Sequence, residues 1–136
     1  MRFIHLADVN LGAVPDRGCP WSEKRENEIW ETFRRVITGI RENPVDLLFI
    51  AGDLFHRQPL LSELKEVNEL FASIPKTRVY LMAGDQDYMK IDSFYRTFSW
   101  ASNVVFFAEE KVACVKDELR ASRNHRGSVC WHPSGK

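Results

Sequence analysis

Two hydrophobic periods alternate along the chain. Nearly continuous apolar runs at Phe3 to Ala7, Val45 to Ala51 and Val79 to Ala83 suit strands of a parallel sheet buried on both faces. Between them, Ile29, Phe33, Val36 and Ile40 recur at spacings of four, three and four, and Leu60, Leu64, Val67 and Phe71 repeat that spacing. Such stripes predict two amphipathic helices facing the sheet. Ser22 is the expected N-cap of the first, with Glu23, Glu26 and Glu28 at the positive end of its dipole and Asn43-Pro44 as its stop. Pro75 ends the second helical unit, and the third strand covers Arg78 to Ala83. A further helix is expected from Asp92 to Trp100, and a further strand from Val104 to Phe107. The order β-α-β-α-β-α-β predicts an α/β fold, a mainly parallel sheet with right-handed crossovers and helices packed on its faces.

Beyond Phe107 the periodicity weakens. Lys111 to Lys116 is expected to pair with the preceding strand as a hairpin across Glu109-Glu110, and Ser128 to Trp131 reads as at most a short strand. Residues 117–136 are therefore expected to be an irregular or partly disordered basic tail, and residues 1–116 the ordered part.

Composition narrows the class. A length of 136 residues fits one domain, and 44% hydrophobic with 28% charged residues is globular. No apolar run approaches the roughly 20 residues of a membrane span. The three cysteines, Cys19, Cys114 and Cys130, are odd in number and lack CxxC spacing. That pattern argues against a disulfide framework and a zinc site, and it fits reduced thiols in the cytoplasm. Net charge is zero, but residues 1–110 carry 13 basic and 17 acidic side chains and residues 111–136 carry 6 and 2. There is thus no global electrostatic footprint for nucleic acid, only a basic end.

The chemistry concentrates at the strand ends. His5-Leu6-Ala7-Asp8, Ile50-Ala51-Gly52-Asp53 and Met82-Ala83-Gly84-Asp85 each run an apolar stretch through a small residue into aspartate. In a parallel α/β sheet ligands bind beyond the carboxyl ends of the strands, and three carboxylates gathered there repel one another unless a cation neutralises them. A divalent metal site is the leading expectation. Taken singly, Asp8 and Asp53 are better accounted for as caps on the helix or turn that follows each, and it is the three strand ends together that point to a metal. His5, inside a strand, reads as a hydrogen-bonded core histidine, and Trp30, Trp100 and the phenylalanines as packing.

Three blocks in order carry a resemblance to a known family. Met1 to Gly12 (MRFIHLADVNLG), Ile50 to His56 (IAGDLFH) and Met82 to Asp87 (MAGDQD) resemble the metal motifs of the calcineurin-like metallophosphoesterases, above all the SbcD-type DNA double-strand-break repair exonucleases. The resemblance implies that residues 1–116 form the N-terminal part of that family's sandwich. It also implies a metal-dependent phosphodiesterase using manganese or magnesium, acting on DNA or another phosphodiester beside a coiled-coil ATPase of the SbcC/Rad50 type. In such sites two cations neutralise the phosphodiester and activate a water. By position, Asp8 and Asn10 would bind the first metal, Asp53 would bridge both, Asp85 would bind the second, and His56 would support the loop. Gln86 stands where the family carries its catalytic histidine.

The departures matter as much as the matches. The family's Asp-x-His is Asp8-Val9-Asn10 here, and its Gly-Asn-His is Gly84-Asp85-Gln86. An amide ligates a transition metal less strongly than imidazole does, and Gln86 cannot donate a proton as an imidazolium can. The resemblance therefore implies a weakly active or inactive domain. The alternative is a non-catalytic scaffold or dimerisation element related to the nuclease. A phosphoacceptor receiver domain would need a lysine after a later strand, and none is so placed. Half of a two-layered sandwich exposes the apolar face that its other half would cover, which predicts a homodimer.

Overall fold

The computed structural model describes residues 1–108, 113–116 and 128–131. Four strands, β1 (Phe3–Leu6), β2 (Leu47–Ala51), β3 (Arg78–Met82) and β4 (Val104–Phe107), form one sheet in the order β1-β2-β3-β4. β1 runs parallel to β2 with Phe3 opposite Leu47, and β2 parallel to β3 with Leu47 opposite Arg78. The strands stop where the turns begin, so Ala7 and Ala83 lie just outside them.

Helices α1 (Ser22–Glu42) and α2 (Leu61–Ala72) supply the crossovers. Leu48, Ile50, Val79 and Leu81 from the sheet form one buried cluster with Phe33, Ile37 and Ile40 of α1 and Leu64, Val67 and Phe71 of α2. Both helices thus cover the same face, correcting the expectation of helices on both. The ring of Phe33 meets that of Phe71 edge-on at 6.2 Å between centroids. On the α1 surface, Arg34 binds Glu66 of α2.

Residues of the opposite parity form the other face, where Phe3, Phe49 and Tyr80 make an aromatic row with centroids 5.9 and 5.5 Å apart. Phe3 is 58% exposed, and His5 on the same edge strand is exposed as well. His5 is therefore not a core histidine, because the helices cover only the parity that carries Ile4 and Leu6.

Two helix expectations change. Trp21, not Ser22, occupies the N-cap of α1; Ser22 opens the helix and its hydroxyl donates back to the Pro15 carbonyl at 2.9 Å. The span expected to be helical from Asp92 contains only a 3-10 turn, η1 (Phe94–Arg96), opened by Ser93, whose hydroxyl oxygen accepts from the Tyr95 amide. The start of α2 is held by Glu63, which accepts from the Leu60 amide at 2.7 Å and pairs with Arg57. Its end is held by Asn103, whose buried amide donates to the carbonyls of Phe71, Ile74 and Thr77.

The chain divides into two compact units, Met1–Phe106 and Phe107–Lys136. In the second, β5 (Ala113–Lys116) pairs antiparallel with β6 (Ser128–Trp131), Ala113 opposite Trp131. The connection of the hairpin expected with the preceding strand, Glu109-Glu110, lies outside the described residues. The expected tail at 117–136 lies, apart from β6, outside the described residues.

Candidate functional site

The carboxyl ends of β1, β2 and β3 are tied into one edge by backbone and side-chain bonds. After β1, Asp8 and Asn10 take the left-handed conformation, with φ of 52° and 55°. After β2, Gly52 and Asp53 do the same at 84° and 48°. Asn and Asp tolerate this region better than other L residues because their short polar side chains bond locally. Asn10 does so, its Nδ2 donating to the Asp8 carbonyl at 3.0 Å, which leaves its Oδ1 free of that bond. The two turns run side by side: the Asp8 amide meets Gly52 O at 3.3 Å, Asn10 N meets Asp53 O at 2.9 Å, and Leu11 N meets Leu54 O at 2.8 Å.

The turn after β3 reaches this pair from the other side. The Gln86 amide donates to Asp53 Oδ1 at 2.8 Å. Gly84 presses on Asp53 so closely that a Cβ placed there would stand 2.2 Å from Oδ1 and 2.4 Å from its amide nitrogen. Gly52 in turn faces Gly84, at 3.2 Å from where its own Cβ would be. No side chain larger than hydrogen fits between the two strand ends.

Beneath them lies Asp87, fully buried. Its Oδ1 accepts from the Gly84 amide at 2.7 Å, and its Oδ2 accepts from the Phe55 amide at 3.2 Å and the Tyr95 hydroxyl at 2.8 Å. Burial pushes its carboxyl above the ordinary value, against the lowering by these three donors, and the Asp53 charge raises it further. Burial also raises the Tyr95 hydroxyl, with the Asp87 charge adding to the effect. Neither Asp87 nor Tyr95 was assigned a role from the sequence. The spacing of Gly84 and Asp87, a side chain returning to an amide three residues back, is the local signal for the first. Tyr95 comes into place only through tertiary packing.

The remaining candidates sit at the rim. Asp8, Asp85, Gln86 and His56 are exposed, while Asn10 and Asp53 are half-buried. His56 ties its loop through its backbone, the amide donating to Leu11 O at 3.0 Å. Asp8 and Asp53 are joined through their turns, and Asp53 is joined to the turn bearing Asp85 and Gln86. Among the described residues, no three His, Cys, Asp or Glu side chains come together closely enough to hold a metal ion. The described residues thus offer oxygen donors along one edge and do not fit a closed two-metal ligand set. A groove of about 450 Å³ opens elsewhere, lined by Leu6, Val9, Ile29, Phe33 and Val36 among others; it contains none of the strand-end aspartates. No helix among the described residues is long and apolar enough to cross a membrane.

Comparison with known proteins bears on the family of the chain. A model of the calcineurin-like phosphoesterase family matches residues 1–133. Among curated relatives, the DNA double-strand break repair protein Mre11 of Methanopyrus kandleri is 43% identical over 77 residues, 48% of this chain and 16% of that protein. The Mre11 proteins of Aeropyrum pernix and Archaeoglobus fulgidus are 33% and 32% identical over 64% and 66% of this chain. The chain spans about a fifth or less of the length of these relatives.

Proposed function

Because the chain belongs to the calcineurin-like phosphoesterase family, we propose that its strand-end edge is part of a phosphodiester-hydrolysing site of the DNA-repair nuclease kind, weakly active or inactive in this sequence. The family implies use of a divalent metal; manganese, or magnesium, is the metal proposed here. Asp8 and Asn10 are the proposed ligands of a first cation, Asp53 the bridging ligand and Asp85 a ligand of the second. Gln86 occupies the position of the acid-base histidine, and His56 steadies the loop. DNA as substrate, an SbcC/Rad50-type ATPase as partner, homodimerisation and a cytoplasmic location belong to the same proposal, as does the division into residues 1–116 and a tail at 117–136.

The observation that carries this reading is the bond from the Gln86 amide to Asp53 Oδ1. It brings the backbone of the residue proposed at the histidine position to the proposed bridging carboxylate, and the side chain that this position carries is an amide. An amide in place of a positioned acid-base group costs roughly 10²–10⁴ in rate. Asn10 supports the same conclusion, since an amide oxygen is a weaker ligand than imidazole for a transition metal. The absence of a closed His/Cys/Asp/Glu group among the described residues favours the second reading, a non-catalytic scaffold.

Hydrolysis of bis(p-nitrophenyl) phosphate at saturating manganese tests the proposal. The purified chain is expected to run near background, and the paired substitution Asn10→His with Gln86→His to raise turnover by about 10²-fold. Rapid turnover by the unmodified chain, abolished in Asp53→Ala, refutes weak activity; no gain in the paired variant favours the scaffold.

A further inference from the structure

The buried Asp87 carboxylate bonds both the turn after β2 and the turn after β3. Its two oxygens divide the work: Oδ1 holds the Gly84 amide and Oδ2 holds the Phe55 amide. Phe55 lies two residues beyond Asp53, and Gly84 is the residue on which Asp53 packs without room for a Cβ. The same carboxylate therefore sets the separation of the two turns between which the Asp53 side chain is held.

Tyr95 completes the arrangement from η1. Its hydroxyl donates to Oδ2, the oxygen that also receives Phe55. Its ring is immobilised by stacking on Phe106 at 4.9 Å and by contacts with Phe55 and Trp100 at 6.3 and 6.4 Å. A ring so packed delivers its hydroxyl at one place with little entropic cost.

We propose that Tyr95 is a positioning residue for the site: acting through the buried Asp87 carboxylate, it locks the turns after β2 and β3 together and thereby fixes the orientation of Asp53. The sequence of contacts is Tyr95 Oη to Asp87, Asp87 to the Gly84 and Phe55 amides, and Gly84 with the Gln86 amide to Asp53. The consequence for chemistry rests on the reading of Asp53 as a metal ligand. The lock itself does not, and its test needs no metal.

Amide hydrogen exchange by NMR on the full chain supplies that test. Tyr95→Phe keeps the stacked ring and removes only the hydroxyl. Exchange at the Gln86 backbone amide, which is bonded to Asp53, is expected to quicken by about tenfold, as for loss of one hydrogen bond to a charged acceptor. The Ile37 and Val79 amides, in α1 and at the start of β3, are expected to change much less. A tyrosine that merely stabilises the core would quicken all three by one common factor, and that result overturns the proposal. Asp87→Asn is the second variant: it keeps the volume but turns one acceptor into a donor facing a backbone N–H. It is expected to loosen Gln86 at least as much, and a Gln86 amide left protected in Asp87→Asn also overturns the lock. Manganese titration of Tyr95→Phe separates the two claims. Looser Gln86 with weaker manganese binding supports both, and looser Gln86 with unchanged manganese binding supports the lock while contradicting Asp53 as a ligand.

Discussion

The turns after β1 and β2 keep their shape through the backbone, with Asp8, Asn10, Gly52 and Asp53 all in the left-handed region and three amide-to-carbonyl bonds between the turns. The turn after β3 has no such residue and is shaped by one buried side chain, Asp87. The difference separates positions held by the backbone from positions held by one side chain. Asn10 stands at a left-handed position, which asparagine tolerates better than most L residues. Asp85 and Gln86 are exposed on a turn whose geometry is set underneath them, so their side chains are not what shapes it. Gly84 and Asp87 set that geometry, the first by leaving room for Asp53 and the second by holding the Gly84 and Phe55 amides.

Substitutions sharpen the contrast. Asp87→Ala leaves two backbone amides and the Tyr95 hydroxyl without their acceptor and is expected to cost about 3 kcal/mol, since each unsatisfied buried group costs roughly 1–3 kcal/mol. A urea midpoint unchanged from the parent would show that the turn after β3 is not shaped by this carboxylate. Gly84→Ala drives a methyl into the Asp53 backbone and is expected to cost about 2 kcal/mol, in the range for overpacking, read from the same unfolding curves. Gly52→Ala, forced into φ of 84°, should lose about 1 kcal/mol from conformation alone. By contrast, Asp85→Ala and Gln86→Ala lie at the exposed rim and are expected to shift stability by no more than about 0.5 kcal/mol. If Gln86→Ala cost as much as Gly84→Ala, the division into a rigid frame and a free rim would be wrong.

Much of this arrangement was legible in the sequence, and for a physical reason. Buried parallel strands such as Leu47–Ala51 require continuous apolar runs, and a helix that covers them requires the Leu64, Val67, Phe71 spacing. The shared edge follows from strand direction alone, so Asp8, Asp53 and Asp85 were placed by counting. What escaped was set by tertiary contact. Ser22 looks like a cap but its hydroxyl is taken by Pro15, and Trp100 packs on Tyr95 with Phe98 against its own ring instead of continuing a helical stripe. His5 read as buried because an apolar run does not say that only one face of an edge strand is covered. Asp87 looked like one more acidic residue after a glycine, since burial of a carboxylate depends on donors, here Phe55 and Tyr95, that lie 32 and 8 residues away.

Calorimetric titration of the metal-stripped chain with manganese tests the central claim most directly, because it reads stoichiometry apart from turnover. A frame retained without its imidazoles predicts that the chain takes up fewer than two equivalents. Two tightly bound equivalents would mean that the amide at Asn10 weakens nothing, and would contradict the reading of a weakened site.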